Sequence, residues 1–293
     1  MNLQEVASNI STATGQAFEP AKQSNIGGGC INSAMQIEGS GQTYFLKSNN
    51  ANRLAMFEAE AAGLAELAAA EAIRVPRPIC TGVSGSQAYI VMEHLSMGAS
   101  HPGVMAQFGE QLAQLHRCRR EQFGWQRENT IGSTPQINSW ADSWLEFYAT
   151  SRLGVQIEMA AERGIGSATV DATYRIMDQL ADFFTGYQPE ASLLHGDLWS
   201  GNYGVLASAE PVIFDPATYF GDREADIAMT ELFGGFGAAF YAAYNAAWPM
   251  DPGYSIRKTV YNLYHILNHF NMFGGGYGAQ AGSMARGLLA NLH

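Results

Sequence analysis

The chain has 293 residues, of which 47% are hydrophobic and 15% are charged, and its formal net charge at pH 7 is −11. These values are typical of a soluble globular protein with one large domain or two lobes. The excess of acid argues against nucleic acid or an anionic membrane as the main partner, because both require clustered Lys and Arg. The first residues lack a basic segment followed by an apolar one, so we expect no signal peptide, and the longest apolar region is too short for a bilayer. The three cysteines lack the spacing of a disulfide framework, so we expect free thiols in a cytoplasmic protein.

The first part of the chain predicts a small sheet with a glycine-rich loop. A short helix over 2–13 and an irregular strand over 18–26 precede the loop, and alternating strands over 34–38 and 42–47 follow it. Consecutive glycines allow a tight turn whose backbone N–H groups can approach a phosphate, although an ordinary hairpin turn would also use them. The predicted nucleotide-binding residues of the loop are Gly27, Gly28, Gly29, Cys30, Ile31 and Asn32.

Phe45 and Lys47 are two residues apart in the strand over 42–47 and therefore share a face. This pair fits a nucleotide site in which the phenyl ring contacts adenine and the ammonium reaches the phosphates, although an edge lysine with a buried stem would also explain it. A strong helix over 56–70 offers two carboxylates as partners for the lysine. We prefer Glu60, which lies on the apolar stripe of that helix, over Glu58, which faces another side.

A buried strand over 88–92 is followed by the expected crossing between two lobes. Backbone groups at this crossing would hydrogen-bond adenine. We therefore predict an N-lobe over 1–92, a hinge over 93–96 and a helical C-lobe over 97–293. The residues expected around adenine here are Met92, Glu93, His94 and Leu95.

Helices over 104–117, 140–153 and 168–185 are predicted for the C-lobe. A polar loop over 129–140 lies between the first two, and its amides and hydroxyls suit either a sugar-sized site or a loop that bonds its own backbone. His265 and His269 are four residues apart in the helical last third. We interpret them as buried, hydrogen-bonded side chains, since no carboxylate or cysteine of matching spacing completes a metal site.

The strongest chemical pattern lies at 193–215. An apolar pair leads to His195-Gly196-Asp197, with Asn202 five residues after the aspartate, and a second apolar run ends in Asp215. This is the H-x-D-x-x-x-x-N spacing of phosphotransferases. Phosphoryl transfer needs one carboxylate at the acceptor hydroxyl, and a second carboxylate with an amide oxygen to hold Mg²⁺ on the ATP phosphates. Asp197 is therefore the predicted catalytic residue, either as the base or as the group that orients the hydroxyl, and Asn202 and Asp215 are the predicted metal ligands.

Blocks along nearly the whole chain resemble the fructosamine-3-kinase (ketosamine kinase) family, a branch of the aminoglycoside-phosphotransferase and protein-kinase-like superfamily. They include the loop at 27–32, the TPQxNxW block at 134–140, HGDLWSGN at 195–202, GDRE with LFGGF at 221–236, and LNHFN at 267–271. The resemblance implies an α+β, two-lobed protein-kinase-like fold, with an antiparallel β-sheet plus a helix in the small N-lobe and a larger, mainly helical C-lobe.

The resemblance also implies an activity. The enzyme would use ATP and Mg²⁺ to phosphorylate the sugar 3-hydroxyl of a ketosamine, which is a ribulosamine, erythrulosamine or fructosamine adduct of an amine or a protein lysine. The 3-phosphate is unstable and releases the amine, so that the activity amounts to protein repair. Asp215-Pro216-Ala217 stands where protein kinases carry Asp-Phe-Gly, so their Phe-based switch is not expected.

Several residues are expected at the acceptor site. Trp199 would pack against the sugar or the amine stem, or else belong to the core. Asp222 and Glu224 would attract a cationic acceptor, so an aminoglycoside or choline kinase remains an alternative. The full set is Gln136, Trp199, Asp222, Glu224 and His269.

Three further expectations concern regulation and support of the active site. A non-catalytic nucleotide-binding regulator is disfavoured, because the lysine, both aspartates and the asparagine of the kinase pattern are present. The chain is expected to be a monomer, or a dimer that responds to oxidation through Cys30, whose thiol sits in the glycine-rich loop. Asp226, at the start of a later apolar helix, is predicted either to cap that helix or to brace the catalytic loop.

Overall fold

The computed structural model describes residues 1–27, 31–101 and 103–292. The chain forms two compact units, Met1–Val104 with Tyr203–Pro216, and Met105–Asn202 with Ala217–His293. We predicted that residues 203–216 belong to the C-lobe. This segment belongs to the first unit because it forms a hairpin that bridges to earlier residues, Val212 to Arg74 and Leu206 to Met97.

An antiparallel sheet of five strands, in the order β1-β2-β3-β5-β4, dominates the first unit. Helices α1 and α2 pack against it, and β9 pairs with β10 in the separate hairpin. Strand β4 was not predicted, since its side chains are partly buried almost throughout and do not alternate. The elements are α1 Leu3–Thr14, β1 Pro20–Ile26, β2 Ser33–Gly39, β3 Gln42–Asn50, α2 Leu54–Ala69, β4 Pro78–Ser84, β5 Gln87–Glu93, β9 Tyr203–Val205 and β10 Pro211–Ile213.

The apolar face of α1 covers one side of this sheet. Val6 and Ile10 are completely buried against sheet residues such as Leu46. Polar contacts fix the position of the helix, because the backbone N–H of Asn2 donates to Ser84 Oγ at 2.8 Å and Asn2 Oδ1 caps the helix. The sheet therefore has a rigid support behind β4 and β5.

Helices dominate the second unit, and the 20-residue α9 packs against α5, α7 and α10. Two short antiparallel pairs accompany them, β6 with β7 and β8 with β11. The elements are α3 Val104–His116, β6 Asn129–Ile131, β7 Thr134–Gln136, α4 Trp144–Tyr148, α5 Val155–Glu162, α6 Ser167–Asp178, β8 Ser192–Leu194, β11 Tyr219–Gly221, α7 Arg223–Leu232, α8 Ala238–Ala247, α9 Tyr254–Phe273 and α10 Tyr277–Ala290.

Two predicted helices have different bounds in the structure. The helix predicted over 140–153 begins at Trp144, after Ser143 caps it, and continues through a π-helical turn at Ala149–Gly154 into α5. The π turn directs the buried Arg152 between the rings of Phe147 and Tyr219, at 4.5 and 4.0 Å from their centroids. The helix predicted over 168–185 ends at Asp178, and a 3₁₀ segment replaces its last turn.

Candidate active site

The residues at 195–202, called the catalytic loop below, follow strand β8 in the second unit. Gly196 has a φ of 83°, and a Cβ there would overlap the carbonyl oxygen of Ala217. Only glycine fits this position. The backbone N–H of Ala217 donates to the carbonyl oxygen of His195 at 2.9 Å, which ties the start of the loop to the chain that follows Asp215-Pro216.

A buried carboxylate from α7 holds the same turn. Asp226 accepts hydrogen bonds from the backbone N–H groups of His195 at 2.7 Å and Gly196 at 2.8 Å. Its Oδ2 also lies 3.2 Å from His116 Nε2. Burial acts to raise the pKa of Asp226, but the contacts with His116 and Gly196 outweigh it, so the pKa lies below its ordinary value. Of the two roles considered for this residue, the structure therefore shows bracing, while Asp222 caps α7.

Asp197 is partly exposed at the tip of the turn. The Asn202 side-chain amide donates to the Asp197 backbone carbonyl at 2.8 Å and to its Oδ2 at 3.3 Å. The backbone N–H of Asn202 donates to the carbonyl oxygen of Trp199 at 2.9 Å, which closes the loop on itself. The amide nitrogen therefore faces Asp197, and the amide oxygen points away from it.

Three charged side chains meet in the first unit. Lys47 Nζ on β3 lies 2.6 Å from Glu60 Oε1 on α2 and also contacts the carboxylate of Asp215. Lys47 is buried and the Glu60 side chain is 10% exposed, whereas the Asp215 side chain is 45% exposed. Burial acts to lower the pKa of Lys47, but the two carboxylates hold it above its ordinary value. Of the two candidate partners, Glu60 makes the contact with the lysine, while Glu58 lies on the exposed side of α2.

The chemistry of each predicted residue suits the partner predicted for it. A permanently charged, immobilised ammonium suits a phosphate anion. The Asn202 amide oxygen and the Asp215 carboxylate are hard oxygen donors of the kind Mg²⁺ uses alongside phosphate and water. Asp215 adopts a φ of 59°, a left-handed conformation that is rare for residues other than glycine and is common at functional sites.

The predicted adenine and phosphate residues fall on the same sheet. Phe45 pairs with Met92 across β3 and β5, and Glu93 ends β5, with its carboxylate paired to Arg74 at 2.7 Å. His94 and Leu95 follow directly and are partly buried.

The glycine-rich loop is anchored at its far end. The Asn49 side chain donates to the Ile31 carbonyl at 3.1 Å and to Asn32 Oδ1 at 2.8 Å. Among the predicted loop residues, Gly28, Gly29 and Cys30 lie outside the described residues, and Gly27 is the last residue described before them. The remaining cysteines, Cys80 and Cys118, carry free thiols.

The structure contradicts the predicted substrate role of Gln136. The polar loop that contains it is partly the β6–β7 hairpin, and the side chain is buried. Its Nε2 donates to Asn129 Oδ1 and to the Ala217 carbonyl, both at 2.9 Å, and its Oε1 accepts from Tyr264 at 2.7 Å. Gln136 therefore braces the segment after Asp215, a role that its sequence pattern does not indicate.

The predicted attraction of a cationic acceptor by Asp222 and Glu224 is also wrong. Both carboxylates are completely buried and are already paired. Asp222 accepts hydrogen bonds from the hydroxyl groups of Tyr187 and Tyr261, and Glu224 binds Arg257 through two contacts of 2.7 and 3.0 Å. These acids stabilise the helical core.

Trp199 and His269 both lie beside the ring of Phe233. The Trp199 side chain is 37% exposed and makes an edge contact with Phe233, and Phe233 lies 4.7 Å from the His269 ring. A Cβ at Gly201 would overlap the indole, so this glycine allows the ring to fold back over the loop. His269 Nδ1 bonds to the His265 carbonyl at 2.8 Å, but within the described residues Nδ1 of the buried His265 has no partner. The prediction of a hydrogen-bonded pair is thus wrong for that atom.

The five-stranded sheet with its Lys–Glu pair and the helical unit with its HxD loop define a protein-kinase-like α+β fold, as predicted. Candidate fructosamine-3-kinases from Haemophilus somnus and Thermobifida fusca have similar structures, with TM-scores of 0.89 and 0.86 at 30% identity. The first match covers 97% of this chain and 96% of the other, and the second covers 99% and 100%. An aminoglycoside phosphotransferase shares the fold at 15% identity, with a TM-score of 0.66 over 99% of each chain.

The family model described as fructosamine kinase matches residues 2–291, and the chain belongs to this family. A Synechocystis protein named "Probable ketoamine kinase" is 49% identical over 98% of this chain and 96% of its own. The chloroplastic protein-ribulosamine 3-kinase of Arabidopsis thaliana is 42% identical over 92% of this chain and 83% of its own. The protein is therefore a kinase, that is, a phosphoryl transferase. None of the helices within the described ranges has the length and apolar character of a membrane span.

Proposed function

We propose that the protein is an ATP-dependent ketosamine kinase that phosphorylates the 3-hydroxyl of the sugar. The observation that carries this proposal is the Asp197–Asn202 arrangement in a braced catalytic loop. The acceptor comes from the relatives, which are named ketoamine kinase and protein-ribulosamine 3-kinase. Ribulosamine, erythrulosamine and fructosamine adducts are the candidate substrates, free or on protein lysines.

Asp197 acts on the acceptor side of the reaction. Its carboxylate accepts a hydrogen bond from the attacking hydroxyl and takes the proton as the new oxygen–phosphorus bond forms. The bond between the γ-phosphorus and the bridging oxygen breaks, and ADP leaves. Asn202 fixes the orientation of the carboxylate through its amide N–H groups. The two N–H contacts of Asp226 hold the loop in place, so that little reorganisation is needed at the moment of transfer.

Lys47 acts on the nucleotide side. Its ammonium, oriented by Glu60, offsets negative charge on the phosphates. Asn202 and Asp215 are the residues that would hold Mg²⁺, which would supply the remaining charge neutralisation when bound with ATP. After transfer, the unstable 3-phosphate loses inorganic phosphate by elimination, and water hydrolyses the resulting imine to the free amine and a dicarbonyl sugar, which completes deglycation.

A panel of acceptors tests this proposal. Ribulosamine, erythrulosamine and fructosamine adducts of one amine would be compared with an aminoglycoside and with choline, by ADP release and by ³¹P NMR of the product. We expect turnover with the ketosamines, a 3-phosphate signal and a stoichiometric release of amine. Turnover with only the aminoglycoside or choline would show that the acceptor is not a ketosamine. ATP binding without turnover of any acceptor would instead indicate a nucleotide-binding regulator.

A further inference from the structure

A small polar cavity lies in the second unit, where strand β8 meets the start of α7. Ser192 of β8 and Asp222, which caps α7, both line it. The volume is about 80 Å³, which is room for two or three water molecules at about 30 Å³ each. Gln188 and Glu190 also line the cavity and are exposed, so it opens to solvent on their side. A small ligand could therefore enter it from solution.

One hydroxyl group at this cavity lacks a hydrogen-bond partner. Ser192 is completely buried, and within the described residues its Oγ has no partner. The two carboxylates that line the cavity are, by contrast, already engaged. Asp222 accepts hydrogen bonds from two tyrosine hydroxyls, and Glu190 pairs with Arg119. Because a buried hydroxyl is costly when it is left unpaired, the cavity favours a ligand that accepts its hydrogen bond.

A buried guanidinium lines the same cavity. Arg223 is 5% exposed, and its described hydrogen bonds all go to neutral acceptors. These acceptors are the carbonyl oxygens of Trp248 and Pro249 at 3.1 and 2.6 Å, the Tyr244 hydroxyl at 3.1 Å and the Met250 sulfur at 3.3 Å. A buried charge is stabilised most by an opposite charge in direct contact. An anionic ligand would supply that contact.

Two further guanidinium groups surround the tryptophan of the cavity. Arg223, Arg117 and Arg119 lie 4.2, 5.0 and 5.5 Å from the centroid of the Trp248 ring. The ring attracts each cation, but the three cations repel one another. The chain has only 16 Lys and Arg residues against 27 Asp and Glu residues. This concentration of arginine is thus a local reversal of the acidic character of the protein, and guanidinium groups match the oxygens of phosphate and carboxylate.

We propose that this cavity binds a small oxyanion of the phosphate class. The Ser192 hydroxyl would donate to it, and Arg223 would supply the opposite charge. The volume limits the bound group to a phosphate that is either free or at the end of a monoester whose remainder lies in solvent beside Gln188 and Glu190. None of these residues belongs to the predicted nucleotide or catalytic residues, so the inference does not depend on the proposed acceptor.

Hydrogen bonds connect this cavity to the catalytic loop. Arg223 donates to the Tyr244 hydroxyl, which lies 2.8 Å from His116 Nδ1. His116 Nε2 lies 3.2 Å from the Asp226 carboxylate, which accepts the two backbone N–H groups of the loop. An anion bound to Arg223 therefore adds to the buried network that supports the loop, and it should stabilise the folded protein.

Calorimetric titration of inorganic phosphate into the whole protein tests the site. A saturating, non-hydrolysable ATP analogue with Mg²⁺ would occupy the nucleotide site, and sodium chloride at the same ionic strength would serve as the reference. The variants are Ser192→Ala and Glu190→Gln. Ser48→Ala is the matched control, because Ser48 Oγ is also buried without a partner within the described residues but lies on β3 in the first unit.

We expect phosphate to bind saturably and equally to the wild type and to Ser48→Ala. Ser192→Ala should weaken binding by about tenfold, as the loss of a hydrogen bond to a charged group predicts. Glu190→Gln should strengthen it by about two- to fivefold, because it removes a negative charge beside the cavity and releases Arg119. Absence of binding to the wild type overturns the site, and so does equal binding by Ser192→Ala and Ser48→Ala.

Two further measurements complete the test. Glycerol 3-phosphate replaces inorganic phosphate in a second titration: weakening by Ser192→Ala with both probes assigns the site to phosphate monoesters as well, and weakening with inorganic phosphate alone assigns it to the free ion. In urea unfolding without phosphate, Ser192→Ala should be at least as stable as the wild type, because it removes an unpaired hydroxyl. A clear loss of stability would show that the hydroxyl already has a partner inside the protein and would overturn the proposal.

Discussion

Replacing Asp226 by asparagine changes one oxygen of the buried carboxylate that holds the catalytic loop into an NH₂ group. The wild-type oxygens accept the backbone N–H groups of His195 and Gly196 at 2.7 and 2.8 Å. Asparagine keeps one acceptor, so whichever way its amide turns, one of these N–H groups faces a donor. The side chain is 1% exposed, and water cannot replace the lost acceptor.

The size of the effect follows from this geometry. A buried N–H without an acceptor costs about 1–3 kcal/mol, and the remaining hydrogen bond loses its charge-assisted character, a further loss of about 1 kcal/mol. We therefore expect the free energy of unfolding to fall by about 3 kcal/mol. A displaced loop would also misplace Asp197, so kcat should fall by about tenfold to 100-fold.

Urea unfolding at pH 7 and steady-state ADP release would measure both effects. Asp171→Asn, the same chemical change at an exposed position of α6, is the control. The pKa of Asp226 is lower in the folded state than in the unfolded state. Its stabilising contribution is therefore complete above about pH 4 and is lost as the pH falls further, and the variant should lack this acid-side loss. An Asp226→Asn protein within 0.5 kcal/mol of the wild type, with normal kcat, would refute the reasoning.

Three further predictions concern the loop and the helical core. Asp197→Asn should abolish turnover while ATP binding, measured by calorimetry, survives; near-normal kcat would remove Asp197 from the mechanism. Gly201→Ala places a Cβ on the Trp199 ring, so KM for the ketosamine should rise about fivefold or more. An unchanged KM would show that this ring does not contact the acceptor. Burial lowers the pKa of His265 to about 3, so the folded state cannot take the proton that the unfolded histidine binds below about pH 6.5. The free energy of unfolding should thus fall with pH, and His265 should account for about 2 kcal/mol of the fall between pH 7.5 and pH 5. In urea unfolding, His265→Asn should lose less stability than the wild type by that amount over the same range. An equal pH dependence in the two proteins would contradict this.

Local periodicity was sufficient to predict the Lys–Glu contact. A strand alternates its faces every residue, which places Lys47 beside Phe45, and a helix repeats every 3.6 residues, which places Glu60 on the packed stripe. The structure joins those two side chains at 2.6 Å. The contact between Asp197 and Asn202 in the loop at 195–202 could also be predicted, because one tight turn fixes the spacing of these two residues.

The contacts of the buried polar residues could not be predicted in the same way. Glu224 resembles a surface acid until Arg257, 33 residues later, is known to lie against it. Gln136 likewise depends on Tyr264 and on the Ala217 carbonyl, both distant in the sequence. A polar side chain and its buried partner leave no periodic signal, since only the tertiary fold brings them together.

The π-helical turn at Ala149–Gly154 makes the length of this segment as important as its composition. A π turn accommodates one residue more than an α-helix would. Removing one residue from the turn would restore a regular helix and leave the positions on both sides in their present register, because the turn already absorbs the extra residue. Removing one residue from α4 would instead rotate all later positions by about 100° relative to the earlier ones. Trp144 and Ile157, which are both buried now, would then face different directions. A single-residue deletion should therefore be far more damaging in α4 than in the π turn beside it.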